Sequence, residues 1–375
     1  MLVKTPPMGW NSWNTFGADI NEQVIRETCD AMVEMGFRDA GYEYVVIDDC
    51  WSLRKRDKNG LLVPDPEKFP SGMKALSDYV HSRGMKFGMY SCAGNRTCAG
   101  FPGSLEHEFE DARTFAEWGV DFLKYDYCNV PVLVNGPILY NRMGMALKAT
   151  GRDILFSACN WGRDNTEKWV RSTGAHMYRS TGDISDCFDR FKTLAMKQVD
   201  SLEHSAPGCF NDLDMLICGM NGKGNVANGG CTPNEYRTHF ALWCIFQSPL
   251  MIGCDVRNID NGTRELLLNK ELIAINQDEE VRPPIRLDLD NRHPMALFKH
   301  LSNGEYLIGM FNLEDTDNNY AVLNFYDLGI TTASGYGFRM REIFTGEQTD
   351  LEREYFVTTI PAHDCKLYRA VLTNE

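Results

Sequence analysis

Asp121-Phe122-Leu123-Lys124-Tyr125-Asp126-Tyr127-Cys128 is an apolar run that turns polar only at its end. Side chains of a strand alternate between its two faces. Lys124, Asp126 and Cys128 therefore share one face, with Leu123, Tyr125 and Tyr127 on the other. A lysine and an aspartate on an inward face are costly unless paired or used. Polar residues confined to a strand's C-terminal end favour a site over an ion pair that merely fills a core. The spacing predicts that Lys124 keeps Asp126 ionised, as a nucleophilic carboxylate requires.

The same pattern extends along the chain on both sides. Apolar β-type runs occupy Tyr42–Ile47, Lys86–Tyr90, Ile154–Ser157 and Leu250–Gly253, and weaker ones start at Met8, His176 and Cys209. Amphipathic stretches separate them. Ser71 opens one with Met73, Leu76 and Val80 on one face, closed by Gly84; Ser104 opens another, ended by Gly119. Thr232-Pro233-Asn234-Glu235 carries a cap residue, a first-turn proline and a glutamate three residues after the cap. Strand and helix alternating eight times predict a closed (β/α)₈ TIM barrel, an α/β fold, over residues 1–282.

Pro283-Pro284 breaks the pattern. Beyond it, Met295–Lys299, Tyr306–Asn312, Ala321–Phe325, Phe338–Ile343, Tyr355–Thr359 and Lys366–Ala370 are short runs separated by turn residues. Residues 283–375 are expected to form a small antiparallel β domain.

The 375 residues carry 52 acidic and 38 basic side chains, a net charge of −14. Such a surface repels phosphate backbones and anionic lipid, so nucleic acid and membrane are not expected as partners and a neutral or cationic small molecule is favoured. No basic and apolar leader precedes Met8-Gly9-Trp10; either the start has been trimmed or the protein stays in the cytosol, and the simpler reading, a cytoplasmic location, is the expectation. Thirteen scattered cysteines read as reduced thiols rather than a disulfide framework. Nothing in the sequence fixes the number of subunits, and a homo-oligomer stays open.

In a barrel, the strands' C-terminal ends carry the site. Ile47-Asp48-Asp49-Cys50-Trp51 puts two carboxylates side by side, so the chain must curl there; this is either a turn with one capping aspartate or a pair of acceptors for hydroxyls. Tyr178-Arg179-Ser180-Thr181-Gly182-Asp183 is ordinary turn chemistry on its own, yet it supplies a second carboxylate of the kind acid/base catalysis beside Asp126 needs, with Arg179 able to hold it. Asp212 and Asp214 share a face and are expected to support the cations. Trp10, Trp13, Trp51, Trp161 and Tyr90 fall at strand ends, as core or as sugar platforms. No Cys-x-x-Cys or His-Glu-x-x-His occurs, so neither a metal nor another cofactor is expected. The glycine-rich stretch 219–230 lacks a phosphate-binding lysine context.

Together these motifs resemble glycoside hydrolase family 27, the family of α-galactosidases and α-N-acetylgalactosaminidases. The resemblance runs from Pro7-Met8-Gly9-Trp10-Asn11-Ser12-Trp13 through Ile47–Trp51, Phe69-Pro70-Ser71-Gly72, Thr97–Ser104, Lys124–Cys128 and Asn211–Leu216 to Ile273–Asp278. It implies a barrel followed by a β-sandwich and a metal-free, retaining double displacement on a terminal α-galactosyl residue, with Asp126 as nucleophile and Asp183 as general acid/base. It further implies that Asp48 and Asp49 bind the galactose 4- and 6-hydroxyls, Lys124 the 3-hydroxyl region and Arg179 the 2-position. Trp13, Tyr90 and Met215 would line the pocket, and Cys98 would join it and match a disulfide partner of Cys128. Cys159-Asn160-Trp161-Gly162-Arg163 matches the segment that reads the 2-substituent. It lacks the small residues that admit an acetamido group, and so favours galactose. Cys92 stands where the family often has aspartate, a change bearing on β-L-arabinopyranosidase activity. Two rival readings are a Schiff-base aldolase using an unpaired Lys124 and a sugar-binding protein without catalysis.

Overall fold

The computed structural model describes residues 1–287 and 295–374. Eight strands lie in one parallel sheet: β1 (Met8–Asn11), β2 (Tyr44–Val46), β3 (Lys86–Cys92), β4 (Phe122–Asp126), β5 (Leu155–Cys159), β6 (Met177–Arg179), β7 (Phe210–Asp212) and β8 (Leu250–Ile252). Their order is β7-β6-β5-β4-β3-β2-β1-β8. The sheet curls into a barrel whose last gap, between β7 and β8, is bridged just past β7: Leu216 pairs with Ile252, its amide donating to Met251 O at 2.8 Å. Every strand but β5 is followed by an α-helix, from α1 (Trp13–Phe16) and α2 (Glu22–Glu34) after β1, through α3 (Gly72–Ser82), α4 (Glu108–Glu117), α5 (Gly136–Ala149), α6 (Phe188–Gln198) and α7 (Pro233–Ile245), to α8 (Asn261–Leu267) and α9 (Lys270–Asn276) after β8. The expected alternation is corrected after β5, where two short 3-10 turns, Thr166–Lys168 and Val170–Thr173, stand in place of a helix.

Strand alternation sorts the core into two layers. Tyr44, Val46, Phe122, Leu155, Met177, Phe210 and Met251 fill the lumen. Val45, Phe87, Leu123, Tyr125, Phe156 and Tyr178 pack outward against the helices. Trp10 and Trp51 belong to this outer layer too. Both are buried, and their indole N–H groups are spent on Cys254 O and Tyr90 O, each at 2.9 Å. They are core, not sugar platforms.

Local signals fix several helix starts. Asn21 and Asn135 cap α2 and α5 through their side chains, and Thr232 and Glu235 form the expected reciprocal cap on α7. The expectation for Ser104 needs correction: α4 begins at Glu108, because the Ser104 hydroxyl is 2.7 Å from that of Ser91 and a turn intervenes. Among the described residues no helix is long and apolar enough to cross a membrane.

The second domain comprises β9 (Ile285–Leu287), β10 (Met295–His300), β11 (Tyr306–Phe311), β12 (Asn318–Asn324), β13 (Gly337–Glu342), β14 (Tyr355–Ile360) and β15 (Cys365–Thr373). Five antiparallel strands, in the order β13-β15-β11-β10-β9, face a β12-β14 pair across a core that includes Phe298, Ile308, Phe325, Phe338 and Tyr368. β9 had no sequence signal beyond three residues after the proline pair.

The opposite face of the five-stranded sheet docks on the barrel: Leu297, Leu307, Phe311 and Leu367 join the barrel's core. Lys299 is buried there, donating to Gln247 Oε1 at 2.6 Å and to Arg282 O. Arg237 of α7 pairs with Asp364, and His363 stacks on Phe188 with ring centroids 3.7 Å apart while its Nδ1 lies 2.7 Å from Glu235.

Candidate active site

At the C-terminal end of the barrel one cavity, with an empty volume of about 480 Å³, is bordered by Trp13, Asp48, Asp49, Tyr90, Cys98, Lys124, Asp126, Trp161, Arg179, Asp183 and Met215. The ends of seven strands, β1 to β7, converge on it. Of the site residues expected from sequence, Cys159 alone is outside this lining: it is buried at the end of β5, in register with Asp126, with Arg179 Nη1 3.8 Å from its sulfur.

The acidic pair after β2 does curl, at Cys50, whose φ is +73°. Both carboxylates thereby border the cavity. Asp48 accepts from Asn11 Nδ2 and from Lys124 Nζ, each at 2.8 Å, and from the Asp49 amide. Asp49 accepts from the Cys50 amide at 2.7 Å and the Ala99 amide at 3.0 Å; burial nevertheless raises its carboxyl above the ordinary range.

On β4, Lys124 and Asp126 point into the cavity as the alternation requires, but the cation's direct partner is Asp48 and not Asp126. That corrects the expected pairing. Asp126 accepts from the Tyr127 amide at 2.8 Å and from the Tyr90 hydroxyl at 3.1 Å. Burial pushes its carboxyl up to about 6, against the opposing pull of Lys124 and the Tyr127 N–H. For Lys124, burial works against the ammonium form but Asp48 foremost outweighs it, so its pKa is raised. An imine-forming lysine needs the reverse, a free amine; the aldolase reading fails on this geometry.

Arg179, at the end of β6, gathers two carboxylates. Its Nη2 lies 3.0 Å from Asp183 Oδ1 and 2.9 Å from Asp214 Oδ2, and it also donates to Thr181 O. For Asp183, burial of the loop raises the carboxyl, but Arg179 and then Lys124 outweigh it and hold it below the ordinary value. The effect is moderated by water, since 74% of the Asp183 side chain is exposed. Asp214 is buried with φ +87°, a conformation that breaks the alternation of β7 and turns its carboxylate onto Arg179. Asp212 does not make that contact; it accepts from the Asp214 amide, and burial raises it to about 6.

Trp161 is also held at positive φ, +58°, which costs a bulky residue roughly 1–3 kcal/mol. What imposes it is the next residue. A Cβ on Gly162 would sit 2.4 Å from Ser180 O, so the loop passes β6 at backbone contact and throws the indole over the cavity. Asn160 faces away, bonding to Arg163 O and Thr166, and Cys92 is buried with its thiol on Cys128 O; neither lines the cavity.

Asn14, Ile184, Asp214 and Val226 complete the wall. Asn14 carried a weak signal, following Trp13 directly; its Nδ2 is buried without a hydrogen-bond partner among the described residues. Val226 carried none. It arrives from the glycine-rich stretch, whose Asn225 and Val226 amides bond Thr15 O and Asn14 O, and Asp186 ties that stretch to the Asp183 loop through the Gly222 amide. Cys98 and Cys128 form a disulfide. Their sulfurs and the Asp126 carboxylate all lie within 4.8 Å, but sulfurs bonded to each other are no longer thiolate ligands.

The chain matches the model of a family described as Alpha galactosidase A over residues 5–278, and that of the Alpha galactosidase C-terminal beta sandwich domain over residues 295–370. It is 50% identical over 280 residues to an alpha-galactosidase of Cyamopsis tetragonoloba, covering 74% of this chain and 66% of that protein. It is 42% identical over 379 residues to alpha-galactosidase 3 of Arabidopsis thaliana, covering 100% of this chain and 83% of the relative. The crystal structure of alpha-galactosidase I from Mortierella vinacea superposes with a TM-score of 0.90 at 34% identity, covering 99% of this chain and 98% of that one.

Proposed function

This chain belongs to glycoside hydrolase family 27, and on that footing we propose that it is a retaining exo-α-galactosidase that removes terminal α-D-galactosyl residues from small galactosides. The reading is carried by one observation: Asp126, from β4, and Asp183, from the loop after β6, border a single cavity.

Asp126 attacks the anomeric carbon as the bond to the departing oxygen breaks, and Asp183 gives that oxygen its proton. Water then loses a proton to Asp183 and attacks the same carbon, releasing Asp126 and galactose with the α configuration kept. At rest the protons are ordered the wrong way for this, with Asp126 the weaker acid. A bound galactoside corrects the order. It strips water from the exposed Asp183 and raises it, while Asp126, already buried, gains the sugar's developing positive charge as a partner. Once Asp126 is esterified its charge is gone, Asp183 acidifies, and the same carboxyl becomes the base of the second step.

The polar wall fits one galactose: Asp48, Asp49 and Lys124 around the 3-, 4- and 6-hydroxyls and Arg179 near the 2-position. The Trp161 indole fills the space that a 2-acetamido group would need.

Two measurements test the reading. Among p-nitrophenyl α-galactoside, α-N-acetylgalactosaminide and β-L-arabinopyranoside, the first should be turned over with the highest kcat/KM; preference for either of the others overturns the substrate. Proton NMR of the first product should show α-galactose before mutarotation, and β-galactose would overturn the double displacement.

A further inference from the structure

Asp183 has to give and take a proton at a fixed point, yet it stands on a loop with 74% of its side chain exposed. Arg179 holds its carboxylate. Its backbone is held by α6: Arg190, in the first turn of that helix, donates to Asp183 O from Nε at 2.6 Å and from Nη2. Where Asp183 stands therefore depends on where α6 begins.

No side-chain cap fixes that beginning, since Cys187 at the cap position makes none. The second domain fixes it instead. The His363 ring lies flat on Phe188, the first residue of α6, with centroids 3.7 Å apart and planes at 13°. One turn on, Lys192 donates from Nζ to Leu313 O, also of the second domain. His363 is itself clamped. Its Nδ1 lies 2.7 Å from Glu235 Oε1 of α7 and its Nε2 2.9 Å from Asp315 Oδ1, while its carbonyl accepts from Thr238 Oγ1 at 2.9 Å. Its φ is +56°, uncommon for a residue with a side chain. A ring kept at positive φ, with both nitrogens engaged and one face on the helix that carries Arg190, points to a use for that ring.

We propose that His363 is a positioning residue for the hydrolysis: acting from the second domain through Phe188 and Arg190, it sets the place of Asp183. The inference rests on the α-galactosidase reading above, with Asp183 as the acid/base. It gives the appended domain a part in the first chemical step, protonation of the departing oxygen.

A displaced acid is felt most where the leaving group needs its proton. An alkoxide departs poorly without one, whereas p-nitrophenolate leaves as a stable anion. The experiment measures kcat/KM for methyl and p-nitrophenyl α-D-galactoside in the full chain and two variants. His363→Asn accepts positive φ but has no ring; His363→Phe keeps a flat ring over Phe188. In His363→Asn the methyl galactoside should lose roughly ten- to a hundredfold, the range for a reacting group moved from its productive position, and the p-nitrophenyl galactoside much less. His363→Phe should recover most of that difference. Each comparison is a ratio within one protein, so a smaller folded fraction cancels. Phe188→Leu removes the same stack from the barrel side and should repeat the pattern, which keeps the test open if His363→Asn does not fold. An equal loss on both substrates would mean that His363 only joins the domains, and overturns the proposal; so does no loss on either, or no recovery in His363→Phe. A parent chain that turns over neither galactoside removes the α-galactosidase reading itself, and is told apart by that zero.

Discussion

Lys124 and Asp48 meet at 2.8 Å across two strands of the barrel, and the Asp48 side chain is 2% exposed. Asp126, two residues along from Lys124, feels the same cation only at a distance. The lysine thus does two jobs: it neutralises a buried carboxylate by contact, and it limits by its field how far burial raises the neighbouring one. A side chain of similar length without charge separates the two.

Lys124→Met should leave Asp48 buried without its cation, which costs about 3–5 kcal/mol when one member of a buried pair is removed. The urea midpoint at pH 7 should fall accordingly. The acid limb of the kcat/KM profile should also move to higher pH, because the influence that lowers Asp126 is gone. A variant as stable as the parent would show that Asp48 is rehydrated.

Asp126→Asn should abolish turnover and, at neutral pH, stabilise the fold. A carboxyl whose pKa is raised from 3.8 to about 6 on folding binds its proton more tightly in the native state. That state is therefore penalised progressively as pH rises from about 4 to 6, and by a constant amount above it, on the order of 2–3 kcal/mol. The variant should be the more stable protein at pH 7 and lose that advantage by pH 4. Denaturation curves at the two pH values decide it; a difference independent of pH would mean that Asp126 is not raised. In the parent enzyme kcat/KM should drop as pH falls below about 6, since the nucleophile must be ionised.

Gly162→Ala should shift the loop that carries Trp161. The added methyl meets Ser180 O at 2.4 Å and the position has φ +79°, so a loss of about 1–3 kcal/mol is expected. KM for p-nitrophenyl α-galactoside should rise more than kcat falls, because the wall moves and the two aspartates do not. Unchanged KM would show that the indole keeps its place by other contacts.

Reduction of the Cys98–Cys128 bond, or its replacement by two serines, should lower the melting temperature. The link closes a separation of 30 residues, for which loop-entropy arguments give about 3–4 kcal/mol. Activity should fall along with it, since Cys98 borders the cavity and Cys128 follows Asp126 by two residues. Insensitivity of both to reductant would make the bond incidental.

All eight barrel strands, and the carboxylates that meet at the cavity, were legible in the sequence because each apolar run ends in polar residues that a core does not tolerate. The partner of Lys124 was not. Alternation along β4 pairs it with Asp126, and that Asp48 comes closer depends on how β2 lies against β4 through β3. Trp10 and Trp51 misled for a similar reason: position at a strand end does not say on which side of the barrel wall a ring falls. Asn14 and Val226 belong to loops brought together by backbone bonds between residues more than 200 positions apart, which leave no local pattern. The disulfide ran against the composition, since scattered cysteines suggest thiols and the remaining 11 are indeed free.

The barrel's stave order leaves one edge, β7 to β8, stitched at Leu216 rather than laced along its length. α7 spans that edge, and the β domain is fastened to α7 and the turn after it through Asp364, His363 and Lys299. The appended sandwich therefore serves as a buttress against unrolling: were it removed, the barrel would be expected to open first where Asp214 and Met215 stand.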